Sequence, residues 1–340
     1  GTNVRVSLGM HARILAEGTR EKPIIFCGIP GGQRWRYITI NHVGVSDAEG
    51  DLENCFFHVH AKDNTLFFLQ ALYGSFHLDH MTFGTPGIRY LEMEGCSFMV
   101  SNCRFPGFDK PVQLVSGEYG TLQNGRAIFY RNFFGKPSGS HDPVDVTDGS
   151  WELSPRFQFI ENVFMGSGDD LLDLDGTAAW VEGNILMHTH KDAANLSTGG
   201  ASAISGGRDE GGTGWTANHY IVGNLFYDVD HAVKSKDGNF HVIAHNTVVR
   251  VTPEGGVDTD CGAIGCGDVG FPESLGHYVR DNIFYDVEKL LRDHESSTLT
   301  FEGNLMQEPW GEELVSEQEW ARGGNNSPSD PRFHYVPSLE

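Results

Sequence analysis

Apolar positions along this chain hold no helical period over any convincing length. They come instead in short β-rich bursts: Phe157-Gln-Phe-Ile160, Trp180-Val, His219-Tyr-Ile-Val222, Phe240-His-Val-Ile243 and Leu299-Thr-Phe301. Each is too short for an independent strand but long enough for one face of a stacked coil. Between the bursts recurs an asparagine followed by apolar or Phe residues. The tetrads read Asn102-Cys-Arg-Phe105, Asn132-Phe-Phe, Asn162-Val-Phe164, Asn184-Ile-Leu, Asn224-Leu-Phe226, Asn246-Thr-Val, Asn282-Ile-Phe284 and Asn304-Leu-Met. Successive spacings are 30, 30, 22, 40, 22, 36 and 22, and His80 lies another 22 before Asn102. A fixed period with insertions is what a solenoid of stacked coils produces.

The pattern predicts an all-β chain folded as a right-handed parallel β-helix with an Asn ladder. Asn tolerates the left-handed backbone that a corner needs, and its amide can donate to and accept from its equivalents on adjacent coils. The Phe two or three residues on is expected to point inward and stack. A β-propeller, with about 40 to 50 residues per blade, is too coarse for 22-residue intervals, and a β-sandwich would not repeat Asn in register. Residues 1–310 are assigned to the β-helix and 311–340 to a C-terminal extension or final coil. The one helical candidate runs from Glu312 to Arg322. Insertions fall between Asn184 and Asn224 and between Asn246 and Asn282. They carry Gly-rich stretches such as Gly206 to Gly214 and Cys261 to Gly267, and are expected as walls or lids beside the coil faces.

Composition sharpens this picture. Lys and Arg number 24 against 46 Asp and Glu, a net charge of −22. Such a surface repels phosphate backbones, so no nucleic-acid partner is expected. No run of 18 apolar residues exists, so no membrane span is expected. The 43 Gly fit tight turns and the 22 Phe a filled interior. The six cysteines match no zinc spacing and read mainly as small buried apolar residues, with Cys261 and Cys266 open to pairing as a loop staple.

The densest chemistry is Ser167-Gly-Asp169-Asp170-Leu-Leu-Asp173-Leu-Asp175-Gly176, preceded one coil earlier by His141-Asp142-Pro-Val-Asp145-Val-Thr-Asp148-Gly149. Asp148-Gly149, Asp175-Gly176 and Asp237-Gly238 recur in register as turn caps. Asp145, Asp169, Asp170 and Asp173 are left as a stacked carboxylate cluster, which cannot stay fully ionised unpaired. A hard cation relieves the repulsion, and Ca²⁺ takes such oxygens readily. Later coils carry His188, His190, Lys191, His231, Lys234 and Lys236. Counted from the ladder, Lys191 and His231 share the offset of Asp169. The competing reading is a solvated salt-bridge ladder.

At these residues the chain resembles the pectate-lyase-like β-helix superfamily, and the acidic spacing is similar to polysaccharide lyase family 9. That family's calcium pocket uses an Asp on one coil, Asp-Asp-x-x-Asp on the next and a lysine base on a later coil. Asp145 followed by Asp169-Asp170-Leu-Leu-Asp173, with Lys234 in His-Ala-Val-Lys, matches this order. Lys191 and Lys236 are rivals for the base, since Lys234 lies behind a long insertion. The chain also resembles β-helix regions of large bacterial surface proteins. Fold resemblance covers residues 1–310, and site resemblance covers only 141–238. It implies a secreted or cell-surface monomer and β-elimination on an acidic, uronate-containing polysaccharide. Ca²⁺ would acidify the C5 proton and Lys234 or Lys191 would remove it, with His188, His190, His231 and Lys236 contacting substrate. Two other classes stand beside it. One is a glycoside hydrolase using paired Asp with His190 nearby, against which the superfamily's hydrolase signatures are absent. The other is a non-catalytic glycan-binding or adhesive module.

Overall fold

Strands of two to seven residues recur along the chain, and each pairs in parallel with its equivalent one coil on. The computed structural model describes residues 4–9, 12–29, 32, 34–41, 55–118, 125–149, 155–193, 195, 200–208, 216–252, 261–267, 274–292, 298–307 and 325–333. Among them the chain is a right-handed parallel β-helix with no helix. The first sheet has eleven strands in strict chain order, from Val6–Leu8 through Val144–Thr147, Leu172–Asp173, Ser202–Gly206 and His231–Ser235 to Leu291–Arg292. Each turn then lays a strand in the second sheet (Phe157–Ile160, Ala179–Glu182, His219–Val222) and one in the third (Val163–Phe164, Ile185–Thr189, Leu225–Val229). The strand Cys55–Ala61 serves both, pairing with the second sheet by its first half and the third by its second.

Alternation decides which side chains fill the solenoid. Val144, Leu172, Ile204, Val233 and Ile264 stack inward on the first sheet, all at most 1% exposed. On the third sheet Phe105, Phe134 and Phe164 stack face to face, at centroid spacings of 4.9 and 4.7 Å with rings 3° and 5° from parallel. The Phe two residues past the ladder position therefore does point inward. Burial of each contributes roughly 1.5–3 kcal/mol. Cysteine follows the same logic: five of the six are buried and Cys27 is exposed.

The Asn ladder runs along the corner between the second and third sheets. Asn132 donates its backbone N–H and its Nδ2 to Asn162 Oδ1, both at 2.9 Å, and a further Nδ2 bond of 2.8 Å goes to the Val100 carbonyl. The same arrangement repeats through Asn162, Asn184, Asn224, Asn246, Asn282 and Asn304. Every interior amide is thereby satisfied. Asn326, 22 residues on, extends the ladder, and Ser327–Pro328 pairs with Leu305–Met306. The helical candidate at 312–322 lies outside the described residues.

Two details of the corner differ from expectation. The left-handed backbone belongs to the residue before each ladder position. His80, Asn102, Arg131, Glu161, Gly183, Gly223, His245, Asp281 and Gly303 have φ between 49° and 67°. Asn102 is therefore a corner residue, not a rung. The rung there is Cys103, whose N–H donates to Asn132 Oδ1 at 2.9 Å, and sulfur continues the column. Met81 N–H donates to Cys103 Sγ at 3.4 Å and Val59 N–H to Met81 Sδ at 3.3 Å. In addition, the Gly-rich run at 261–267 is not wholly an insertion. Ile264–Gly265 is a first-sheet strand between Val233–Lys234 and Leu291–Arg292.

The interior of the second sheet carries a polar column. Inward positions of the second sheet carry His219, His241 and His277 on three successive coils, all 0% exposed. Neighbouring centroids lie 4.3 and 5.5 Å apart. His219 Nε2 bonds the Thr177 carbonyl at 2.9 Å, while both nitrogens of His241 and of His277 have no hydrogen-bond partner. Burial pulls all three well down, His219 to about 4 and His277 to about 3, so the rings are neutral.

Candidate functional site

The chemistry-bearing residues meet on the outer face of the first sheet. Strand register sets one column of outward positions on consecutive coils: Glu92, Ser116, Asp145, Asp173, Ser205, Lys234, Gly265, Arg292. At roughly 4.8 Å between strands, Lys234 starts about two spacings from Asp173, within reach of an extended lysine stem. Asp145 is held by Gln113 Nε2 at 3.0 Å and Thr147 Oγ1 at 3.2 Å. Asp173 Oδ1 is buried without a hydrogen-bond partner. Lys234 is 4% exposed, and its Nζ donates to the Gly200 carbonyl at 2.9 Å.

A second column stands beside the first. The Asp170 N–H donates to Asp142 Oδ1 at 2.8 Å, and the Ser202 N–H donates to Asp170 Oδ1 at 2.8 Å. Ser202 is in register with His231. This places His231 over Asp170 rather than over Asp169, as the ladder offset had suggested. His231 is buried and its Nδ1 bonds the Gly262 carbonyl at 2.9 Å. Burial, reinforced by Lys234, pulls it well below the ordinary histidine range. On the far side, Lys236 Nζ lies 3.8 Å from Asp175 Oδ1. Gly207 packs between these two side chains, and a Cβ there would come within 2.7 Å of both.

The electrostatics of the face follow from crowding. Burial raises every carboxylate of the cluster. Asp142 and Asp173 are pushed well above the usual range, first by burial and then by neighbouring carboxylates. Asp170 is pushed up to about 7 by burial and by Asp169, against the pull of Lys234 and Lys236. Asp169 rises by burial, offset by Asn195 and by Lys234, Lys236 and Lys191. Asp145 rises by burial, offset by Thr147, Arg89 and Gln113. Three lysines thus favour ionisation of Asp169, yet burial still holds the carboxylates of the cluster above their usual range.

No protein-family model matches the chain, and no curated protein matches it. The site's chemistry is therefore read from its own geometry. His188 and His190 lie at the end of the third sheet, on and just after the strand Ile185–Thr189. His188 Nδ1 bonds Asp228 Oδ2 at 2.8 Å. His190 is clamped between Asp228 Oδ2 at 3.3 Å and Asp230 Oδ1 at 2.8 Å. Burial lowers His190, but the two aspartates outweigh it and push it up to about 9. It is a buried cation, unsuited to act as a base at neutral pH. Asp148 and Asp237 do sit in left-handed turns at the first-to-second corner, as do Gly176 and Gly238.

Asp142, Gln113 and Ser205 were not among the expected site residues. One signal pointed to Asp142. It precedes Asp170 by 28 residues, the same spacing that separates the register partners Asp145 and Asp173. Among the described residues, no three ligand atoms of the acidic face lie within 4.8 Å of one another. Among the described residues, the trio that does is His58, Asp79 and His80, on another face.

Proposed function

We propose that the outer face of the first sheet is the active site of a calcium-dependent polysaccharide lyase acting by β-elimination on a uronate-containing glycan. The observation that carries this reading is the column Asp145, Asp173, Ser205, Lys234, flanked by buried carboxylates that resist ionisation. It keeps the resemblance to the pectate-lyase-like superfamily and to polysaccharide lyase family 9. A hard divalent cation suits the donor set, because Asp173 Oδ1 is buried with no hydrogen-bond partner and a cation compensates several crowded carboxylates at once. Asp145, Asp169, Asp170 and Asp173 would hold it. When bound, the ion supplies charge withdrawal from the substrate carboxylate, which acidifies the C5 proton.

The chain's own residues do the rest. Acting as the free amine, Lys234 takes the C5 proton and becomes the ammonium, the C4–O bond breaks as the C4–C5 double bond forms, and the departing oxygen is protonated from solvent. Burial of the lysine stem holds the amine in place. Lys191 and Lys236, both close enough to act on Asp169, bind the polyanion along the groove, with His188 at its edge. The long outer face suits an extended polymer on a secreted or cell-surface protein.

A second reading is a non-catalytic glycan-binding face. It is favoured by the spread of the acidic ligand atoms, no three of which gather within 4.8 Å among the described residues. A screen of uronate-containing polysaccharides, with calcium and with chelator, separates the two. Unsaturated products absorbing near the ultraviolet edge are expected with calcium only, and Lys234→Met should abolish them while calcium binding and fold persist. Cleavage of no polymer, with binding retained, overturns the catalytic reading.

A further inference from the structure

Away from the acidic face, the second sheet presents a different set of ligands. His58 lies on the strand Cys55–Ala61, and Asp79 ends the strand Ser75–Asp79. The pairing of Phe57 with Leu78 sets His58 beside Asp79 on adjacent coils. His80 follows in the left-handed corner, at φ 49°. One potential ligand atom from each of the three lies within 4.8 Å of the other two. The His58 and His80 rings stack at 5.3 Å, 26° from parallel.

We propose that His58, Asp79 and His80 bind a divalent transition-metal ion of the zinc class, clipping two adjacent coils together. Three observations carry this. First, the donor set of two imidazoles and one carboxylate is the one that zinc, nickel and ferrous ions favour. Second, the carboxylate is already oriented from the next coil. Asp79 Oδ1 accepts from Ser101 Oγ at 2.7 Å and Asn102 Nδ2 at 3.0 Å, and Ser101 Oγ is itself bonded to His77 Nε2 at 2.9 Å. Such outer partners are what fix a metal ligand. Third, His80 Nδ1 lies 2.8 Å from Asp79 Oδ2. That separation matches an octahedral edge for bonds of about 2.0–2.2 Å and needs to open by about 0.5–0.8 Å for a tetrahedral site.

The ion takes the place of the hydrogen between these two atoms: a neutral His80 ring carries its proton on Nε2 instead, and an imidazolium releases one proton to solvent. His58 supplies the third ligand. Its ring nitrogens have no protein hydrogen bond among the described residues, and stacking alone holds the ring over His80. Closing the trio needs small turns of the two rings, which cost little because the His58 ring makes no hydrogen bond among the described residues and the His80 side chain is 58% exposed. The net charge of −22 enriches divalent cations around the molecule.

The test uses the full chain stripped with chelator. It is titrated with Zn²⁺ in the calorimeter and with Co²⁺ by visible absorption. One equivalent is expected to bind in the presence of excess Ca²⁺, with proton release that grows as the pH is lowered. Affinity should fall at least tenfold in His80→Ala and in His58→Ala, and should weaken as pH drops from 7.5 to 6. Asp173→Asn, on the acidic face, should leave it unchanged, which separates this site from the proposed calcium site. His80 is exposed, so its variant tests the site even where His58→Ala perturbs the coil. Failure of the wild type to bind Zn²⁺, or binding of equal affinity in His80→Ala, overturns the proposal.

Discussion

Replacing the middle ring of the interior histidine column, His241→Leu, should make the protein less sensitive to acid without weakening it at neutral pH. All three rings are buried and neutral, with folded-state pKa values near 4 and 3 for His219 and His277 and well below the ordinary range for His241. Unfolded, each titrates near 6.5. A histidine with a depressed folded pKa contributes stability that is fully present above the unfolded value. That stability is lost as pH falls, because only the unfolded chain takes up the proton. At roughly 1.36 kcal/mol per pKa unit, each ring costs about 2 kcal/mol between pH 7 and pH 5, and the column about 6 kcal/mol. Equilibrium urea unfolding in chelator at the two pH values measures this. The variant should lose about 2 kcal/mol less than the wild type over that interval. The raised carboxylates of the first sheet shift stability the opposite way, but equally in both proteins, so the difference isolates one ring. At pH 7 the variant should match or exceed the wild type, since leucine removes two buried nitrogens that lack partners. An unchanged pH dependence would refute the argument. So would a loss above about 3 kcal/mol at pH 7, because it would mean that a ring nitrogen is bonded.

Two further outcomes follow from the geometry. Asn224→Ala removes the acceptor of the Asn184 N–H and Nδ2, and the donor to the Val181 carbonyl. Leaving these groups buried and unmet should cost about 3 kcal/mol or more in urea unfolding, and a loss under about 1 kcal/mol would contradict the ladder's role. Asp170→Asn keeps an acceptor for the Ser202 N–H but removes a carboxylate pushed up to about 7. A raised folded pKa is destabilising wherever the unfolded group is ionised. The chelated variant should therefore be more stable than wild type at pH 8, on the order of 2–4 kcal/mol, with the gap closing as pH falls toward 4. Calorimetry should show weaker calcium binding in the same protein, and equal calcium binding would remove Asp170 from the proposed site.

The sequence by itself determined the solenoid. A coil must turn the same corner above its neighbour every time, so Asn recurs at 22 residues wherever no loop intrudes, and Phe follows it into the interior. Corner chemistry was half legible: the ladder side chains could be read, but the left-handed residue is the one before, and it varies among Gly, Asp, Asn, Arg, Glu and His. Sulfur rungs at Met81 and Cys103 were hidden for the same reason, since a ladder accepts any acceptor that reaches the N–H beneath it. The acidic cluster was visible as composition, but its stacking was not. Asp145 lies 13 residues past its rung and Asp173 only 11 past its own, because the corner between third and first sheets differs in length from coil to coil. Offsets counted from one corner therefore drift before they reach the next sheet. Only parallel pairing across the first sheet decided that Asp145, Asp173, Ser205 and Lys234 share a column, and that His231 stands over Asp170. Tertiary packing likewise set three histidines one above another in the core. Their spacings of 22 and 36 residues carry the coil period, but inward or outward direction depends on strand register, which shifts every side chain to the opposite face when it slips by one.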